Sequence, residues 1–263
     1  LRLNTLFQPN SLDVLCRTAL FACWIYYVHT RKSRWLYMAA LIFALGFLNK
    51  YNIVFLAAAF LPSILLTPQR SLLLNRHILQ AAFLSLCLIS PNLWWQYKQH
   101  FPVIHHMQEL ATTQLIHVNR LEFLQTQPLF FMGWLPVIIA GWMALIFYRP
   151  FSNYRAFAWA LPLTLALFTY LKAKAYYSIG LYPVYGLFGC VYLEQLWRHS
   201  WKKWMRPAII LLPLLAMLPL FPVLFPNKRP EEIIQNQEPY RRFGLLRWED
   251  GKDHALPQDY ADM

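Results

Sequence analysis

The sequence predicts an all-α fold: a polytopic membrane helical bundle crossing about eight times, followed by a partial extracytoplasmic C-terminal segment. Three observations point there. The apolar set is 58% of the 263 residues and the charged set only 14%, where soluble domains run nearer about 45–50% and about 25%. The apolar residues are gathered into eight long runs. The net charge of +12 is spread in short clusters between those runs, which suits membrane orientation better than nucleic-acid binding.

The runs are 12–28, 35–49, 51–66, 77–91, 128–148, 156–171, 176–197 and 207–225. The first opens behind Pro9-Asn10-Ser11, with Asp13 in its first turn. The second and third are separated only by Lys50 and read as two crossings or a re-entrant hairpin. The fourth begins after Arg76, and the remaining four alternate with short polar links. Several fall below the roughly 20 residues needed to span about 30 Å of hydrocarbon, and are extended by Tyr, Trp and Asn flanks. Backbone groups in lipid must be bonded within the segment, so the runs are helices. Pro62, Pro91, Pro136, Pro162, Pro183 and Pro213 punctuate them. Cys16, Cys23, Cys87 and Cys190 lie inside apolar runs with no CxxC pair, as small hydrophobes do.

Lysine and arginine set an orientation. Links 29–34, 67–76, 149–155 and 198–206 carry 11 of them, while the alternate links carry 5 before the tail. The first set is therefore expected in the cytoplasm and the second outside. Residues 226–263 are rich in charge and read as the start of an outward soluble domain, too short for a core of its own. The division is thus 1–225 for the membrane core and 226–263 for the tail. The chain opens without Met and closes in a polar stretch, so a fragment cut at both ends is expected.

The outward links hold the chemically mixed residues. His106 and Glu109 are three apart and share a helix face. They suit a metal, a sugar, a phosphate or simple loop capping, although a metal site lacks further ligands. Asp13 is either a first-turn carboxylate favoured by the helix dipole or a cavity acid. Lys50, in Leu48-Asn49-Lys50-Tyr51-Asn52, either snorkels to headgroups or meets a substrate phosphate. Lys172 and Lys174 lie close to Tyr177 and offer the same two choices. Few polar residues lie at mid-run, which disfavours the alternative of a transporter or lipid flippase.

In these motifs the chain resembles the membrane glycosyltransferases of family 39, related to dolichyl-phosphate-mannose protein mannosyltransferases and to bacterial aminoarabinose transferases. The likeness runs through Leu6-Phe7-Gln8-Pro9 to Asp13, Gly46 to Tyr51 and Pro91-Asn92-Leu93-Trp94. It continues through Phe101-Pro102, His106-to-Leu110, Lys172 to Tyr177, Tyr182-Pro183 and Arg247 to Tyr260. It implies a GT-C bundle in the bacterial inner membrane with a periplasmic or extracellular cavity. The implied donor is a polyprenyl-phosphate sugar; the implied acceptor is a hydroxyl of a glycan, lipid or protein. A divalent cation is allowed, and membrane lipids are expected partners. The resemblance makes Asp13 a second cavity carboxylate and puts the primary Asp in an outward loop before residue 12, so the fragment alone is expected to be inactive. It gives the donor phosphate to Lys174 first, then Lys50, with Tyr177 and Lys172. It puts His106, Glu109, Gln8 and Asn92 near the sugar or acceptor.

Overall fold

A computed structural model describes residues 9–197, 205–224, 228–248 and 251–260. Every one of the eight apolar runs is helical within the described residues. The helices are α1 (Asn10–Thr30), α2 (Arg34–Asn49), α3 (Ile53–Leu65), α4 (Arg76–Lys98), α5 (Pro102–Thr113), α6 (Arg120–Thr126), α7 (Leu135–Phe147), α8 (Ala156–Tyr170), α9 (Tyr182–Trp197) and α10 (Met205–Met217). Short helices α11 (Phe221–Leu224), α12 (Pro230–Gln235) and α13 (Glu238–Arg242) follow.

By length and composition, α1 and α4 are apolar enough to cross a membrane. Two bent pairs raise the number to as many as four if each counts as one span. They are α3 with the 3-10 turn Pro68–Leu74, bent by 111°, and Arg120–Phe131 with α7, bent by 106°. The outer face of α4 carries Leu79 at 73% and Phe83 at 67% exposure. An apolar face of that kind is compatible with membrane insertion.

Local chemistry sets the helix ends. Asn75 caps α4 by accepting the His77 backbone N–H at 3.0 Å, and Asn119 caps α6 through the Leu121 N–H at 2.8 Å. Helix α8 ends in a Schellman arrangement, with Ala173 N–H donating to the Phe168 carbonyl at 2.9 Å and Lys172 N–H to Thr169 at 3.3 Å. Lys172 therefore stands in the left-handed position usual for glycine, at φ 51°. The Arg120 guanidinium donates to the carbonyls of Thr169 and Tyr170 at the same helix end, a favourable place for a cation.

The main core joins α1, α3, α7, α8 and α9 through Phe21, Leu56, Leu145, Phe157 and Tyr185, all fully buried. Helices α7 and α9 make the most extensive pairing, and their backbones almost touch. A Cβ on Gly141 would stand 2.0 Å from the Tyr185 carbonyl oxygen, and one on Gly189 would stand 2.0 Å from that of Val137. Small residues at a crossing allow this approach. Helix α4 packs chiefly on α2, where Ser85 donates to the Ala40 carbonyl at 3.1 Å.

Contacts separate two ends of the bundle. At one end, buried Gln69 accepts the Ala156 N–H at 3.0 Å and donates to the Asn153 carbonyl, while Asn75 donates to the Tyr27 hydroxyl at 3.0 Å. The other end gathers the start of α1, the α2–α3 link, the end of α4 and the 3-10 turn Ala175–Leu181. The tail, expected to be too short for a core, gathers a small one. Ile233, Tyr240 and Leu246 are buried together, flanked by Leu256 and Tyr260.

Candidate functional site

The site end is built around the first two turns of α1. Asp13 and Arg17 lie four apart on one face, the spacing that lets opposite charges meet on a helix. Arg17 Nε donates to Asp13 Oδ1 at 3.0 Å, and Nη2 makes an ion-pair contact with Oδ2 at 2.8 Å. Both side chains are buried. The remaining terminal nitrogen, Nη1, donates to the backbone carbonyl of Tyr177. The pair thus ties the Ala175–Leu181 turn to α1. Gly180 permits the approach, because a Cβ there would lie 2.9 Å from Arg17 Cδ.

The turn delivers two tyrosines to Lys50. Lys50 stands in extended backbone between α2 and α3. Its Nζ donates to Asn10 Oδ1 at 2.7 Å and lies 4.4 Å from the Tyr177 ring centroid and 5.2 Å from that of Tyr176. These are cation–π distances. Neighbouring Asn49 donates to the Pro9 carbonyl at 2.8 Å, which fixes the α2–α3 link to the entry of α1. On the other side, the Tyr51 hydroxyl donates to Asn92 Oδ1 at 2.9 Å and accepts from Gln96 Nε2 at 2.8 Å. Asn10 and the Ala175–Leu181 turn therefore meet at one ammonium group, and the next residue, Tyr51, ties α4 to the same link.

Beneath the turn, buried Gln127 orders it. Its Oε1 accepts from the hydroxyls of Ser178 and of Tyr182, the latter at 2.9 Å. Lys174 and Tyr176 also line a separate cavity of about 270 Å³, closed on its far side by Gly244, Arg247, Trp248 and Gly251 of the tail. Tyr176 is common to this cavity and to the Lys50 cluster.

Residues 1–95 match the family model described as dolichyl-phosphate-mannose-protein mannosyltransferase. No curated protein matches the chain. No solved structure does either. The match covers α1, the α2–α3 link and α4 through Trp95, which includes Asp13, Arg17, Lys50 and Asn92.

Of the residues read from sequence, Asp13, Lys50, Tyr177 and Asn92 come together at this end, and Lys174 lies in the adjoining cavity. Lys172 terminates α8 and does not line that cavity. His106 and Glu109 are exposed on α5, a helix with no buried residue whose main packing partner is the 3-10 turn Leu115–His117. Gln8 lies outside the described residues. Among the described residues no three His, Cys, Asp or Glu side chains gather as a metal site, so the divalent cation allowed by the resemblance finds no donor set there. Sequence reasoning passed over Arg17, Asn10, Tyr176 and Gln96. The i,i+4 spacing of Asp13 and Arg17 was a usable signal for the first; the others depend on contacts about 40 or more residues apart in the chain.

Proposed function

We propose that the protein is a glycosyltransferase that takes a sugar from a polyprenyl-phosphate donor and passes it to an acceptor hydroxyl on the outer face of a bacterial inner membrane. The observation that carries this is the Lys50 ammonium, held by Asn10 and two tyrosine rings inside the stretch that matches the mannosyltransferase family. On this reading all eight helical runs lie in the membrane, and the basic links 29–34, 67–76 and 149–155 face the cytoplasm. The tail from 226 onward is then an outward domain.

In the proposed mechanism the acceptor hydroxyl attacks the anomeric carbon and its proton passes to a base. The bond from that carbon to the phosphate oxygen breaks, and polyprenyl phosphate leaves with added negative charge. Lys50 meets that charge, assisted by Lys174 from across Tyr176. The order of the two lysines is reversed from the sequence reading, because Lys50 is the one surrounded by Asn10, Tyr176 and Tyr177. Asp13, bound to Arg17, holds the Tyr177 turn in place rather than taking a proton. His106 and Glu109 on exposed α5 contact the acceptor only at the rim.

The test is transfer from a set of polyprenyl-phosphate sugars by the natural protein in nanodiscs, with Lys50→Ala beside it. Losing one charge-stabilising group at the leaving phosphate is expected to slow transfer about 100-fold or more. Normal transfer by folded Lys50→Ala would remove the assignment of Lys50. Movement of a lipid or solute across the bilayer without sugar transfer would replace the enzyme with a transporter or flippase.

A further inference from the structure

The cavity between the 114–126 stretch and the tail is a second site, distinct from the Lys50 cluster. Its volume of about 270 Å³ is near the lower end of ligand pockets, about 300 Å³. That is room for one ring rather than a lipid tail. Its wall is mixed in the manner of a site for a polyhydroxylated ring. Trp248 and Tyr176 supply aromatic surface. Glu122 supplies a carboxylate, Asn119 an amide and Arg247 a guanidinium. Asn119 spends its Oδ1 on the Leu121 N–H, which leaves its amide N–H groups for a ligand.

One atom asks for a partner. Gln114 Oε1 is buried at this cavity and receives no hydrogen bond from any described residue. A buried acceptor without a donor costs about 1–3 kcal/mol, and a turn of the Gln114 side chain toward the cavity would let a ligand hydroxyl remove that cost. The tail is held close enough to complete the wall. Gly251, at φ +78°, comes so near the outer loop that a Cβ would lie 3.1 Å from His117 Nδ1. Trp248 N–H donates to the Lys252 carbonyl at 3.0 Å, and the Trp248 ring is stacked on His254 at 3.8 Å.

We propose that this cavity binds a pyranose ring, with Gln114 and Glu122 accepting from its hydroxyls and Trp248 and Tyr176 packing on its apolar C–H surface. Because Tyr176 also borders Lys50, the bound ring is the acceptor sugar. That role rests on the transferase reading, whereas the binding does not.

The test is binding of methyl glucoside, methyl mannoside and N-acetylglucosamine to the full chain in nanodiscs by saturation-transfer NMR, with glycerol as an acyclic control. At least one pyranoside is expected to saturate where glycerol does not. Gln114→Leu is expected to weaken it about fivefold, the worth of one hydrogen bond, and Trp248→Ala about tenfold, through lost aromatic packing. Trp248 also donates to the Leu256 carbonyl at 2.8 Å, so its loss disturbs the tail as well. Gln114→Leu and Glu122→Gln leave the tail's own contacts intact and decide the matter if Trp248→Ala unfolds. Absence of saturable pyranoside binding to folded protein, or unchanged binding in both conservative variants, overturns the proposal. Pyranoside binding that weakens in the variants, without sugar transfer from any donor, sinks the transferase reading alone. Transfer together with pyranoside binding that ignores the variants sinks the cavity assignment alone.

Discussion

Removing Asp13 alone should damage the protein more than removing both members of its ion pair. In Asp13→Ala the Arg17 guanidinium stays buried, and the Tyr177 carbonyl is its one remaining hydrogen-bond partner among the described residues. Stranding one charge of a buried pair costs about 3–5 kcal/mol. For a chain of this size that lowers the melting temperature by roughly 6–20 °C, at about 2–4 °C per kcal/mol. The double variant Asp13→Leu with Arg17→Met leaves neither charge. An apolar replacement of a buried pair is often neutral or better, so the remaining loss is the charged hydrogen bond to Tyr177, about 1.5–3 kcal/mol. The assay is thermal unfolding in detergent, comparing the single and the double variant, alongside donor transfer. Stability should recover by about 2 kcal/mol from single to double variant by these values, while transfer stays low because the tyrosine turn has lost its tie. A double variant as unstable as Asp13→Ala, or a single variant as stable as the parent, would refute the reasoning.

Two further outcomes follow from backbone geometry. Gly141→Ala and Gly189→Ala each push a methyl into a carbonyl 2.0 Å away. Each should cost about 1–3 kcal/mol or more by overpacking, read as lower melting temperature and reduced yield of monodisperse protein. Parental stability in both would mean that α7 and α9 do not cross at these glycines. Lys172→Gly relieves a left-handed residue in the Schellman turn and should stabilise by about 1 kcal/mol. Its transfer rate should match the parent, and a large fall in transfer would show that the Lys172 ammonium serves the donor phosphate after all.

The helices were legible because burial in an apolar medium writes itself along a single run. All eight runs returned as helical segments, with ends near Asn49, Phe147 and Tyr170. Their bends were less legible. Pro128 and Pro136 flank the 106° break between α6 and α7, yet Pro91 in α4 and Pro162 in α8 sit inside helices that carry on. Candidate site residues were readable as types near helix ends. Which of them meet was not, since Lys50 reaches Asn10 and Tyr177 across spans that no local pattern encodes. His106 and Glu109 show the converse, a suggestive local spacing on a helix that buries none of its residues.

On the proposed transferase reading, the partners of Lys50 make it a better place for an anion than a bare lysine in a loop. An ammonium in water is strongly hydrated and must shed that shell to meet a phosphate. Here Asn10 Oδ1 and two ring faces replace part of the shell with neutral partners at fixed distances. Asp13 is engaged by Arg17, and that ion pair anchors the turn that carries the tyrosines. Arg17 thereby connects stability to function: the same guanidinium that satisfies Asp13 also fixes the turn that shapes the cation's surroundings.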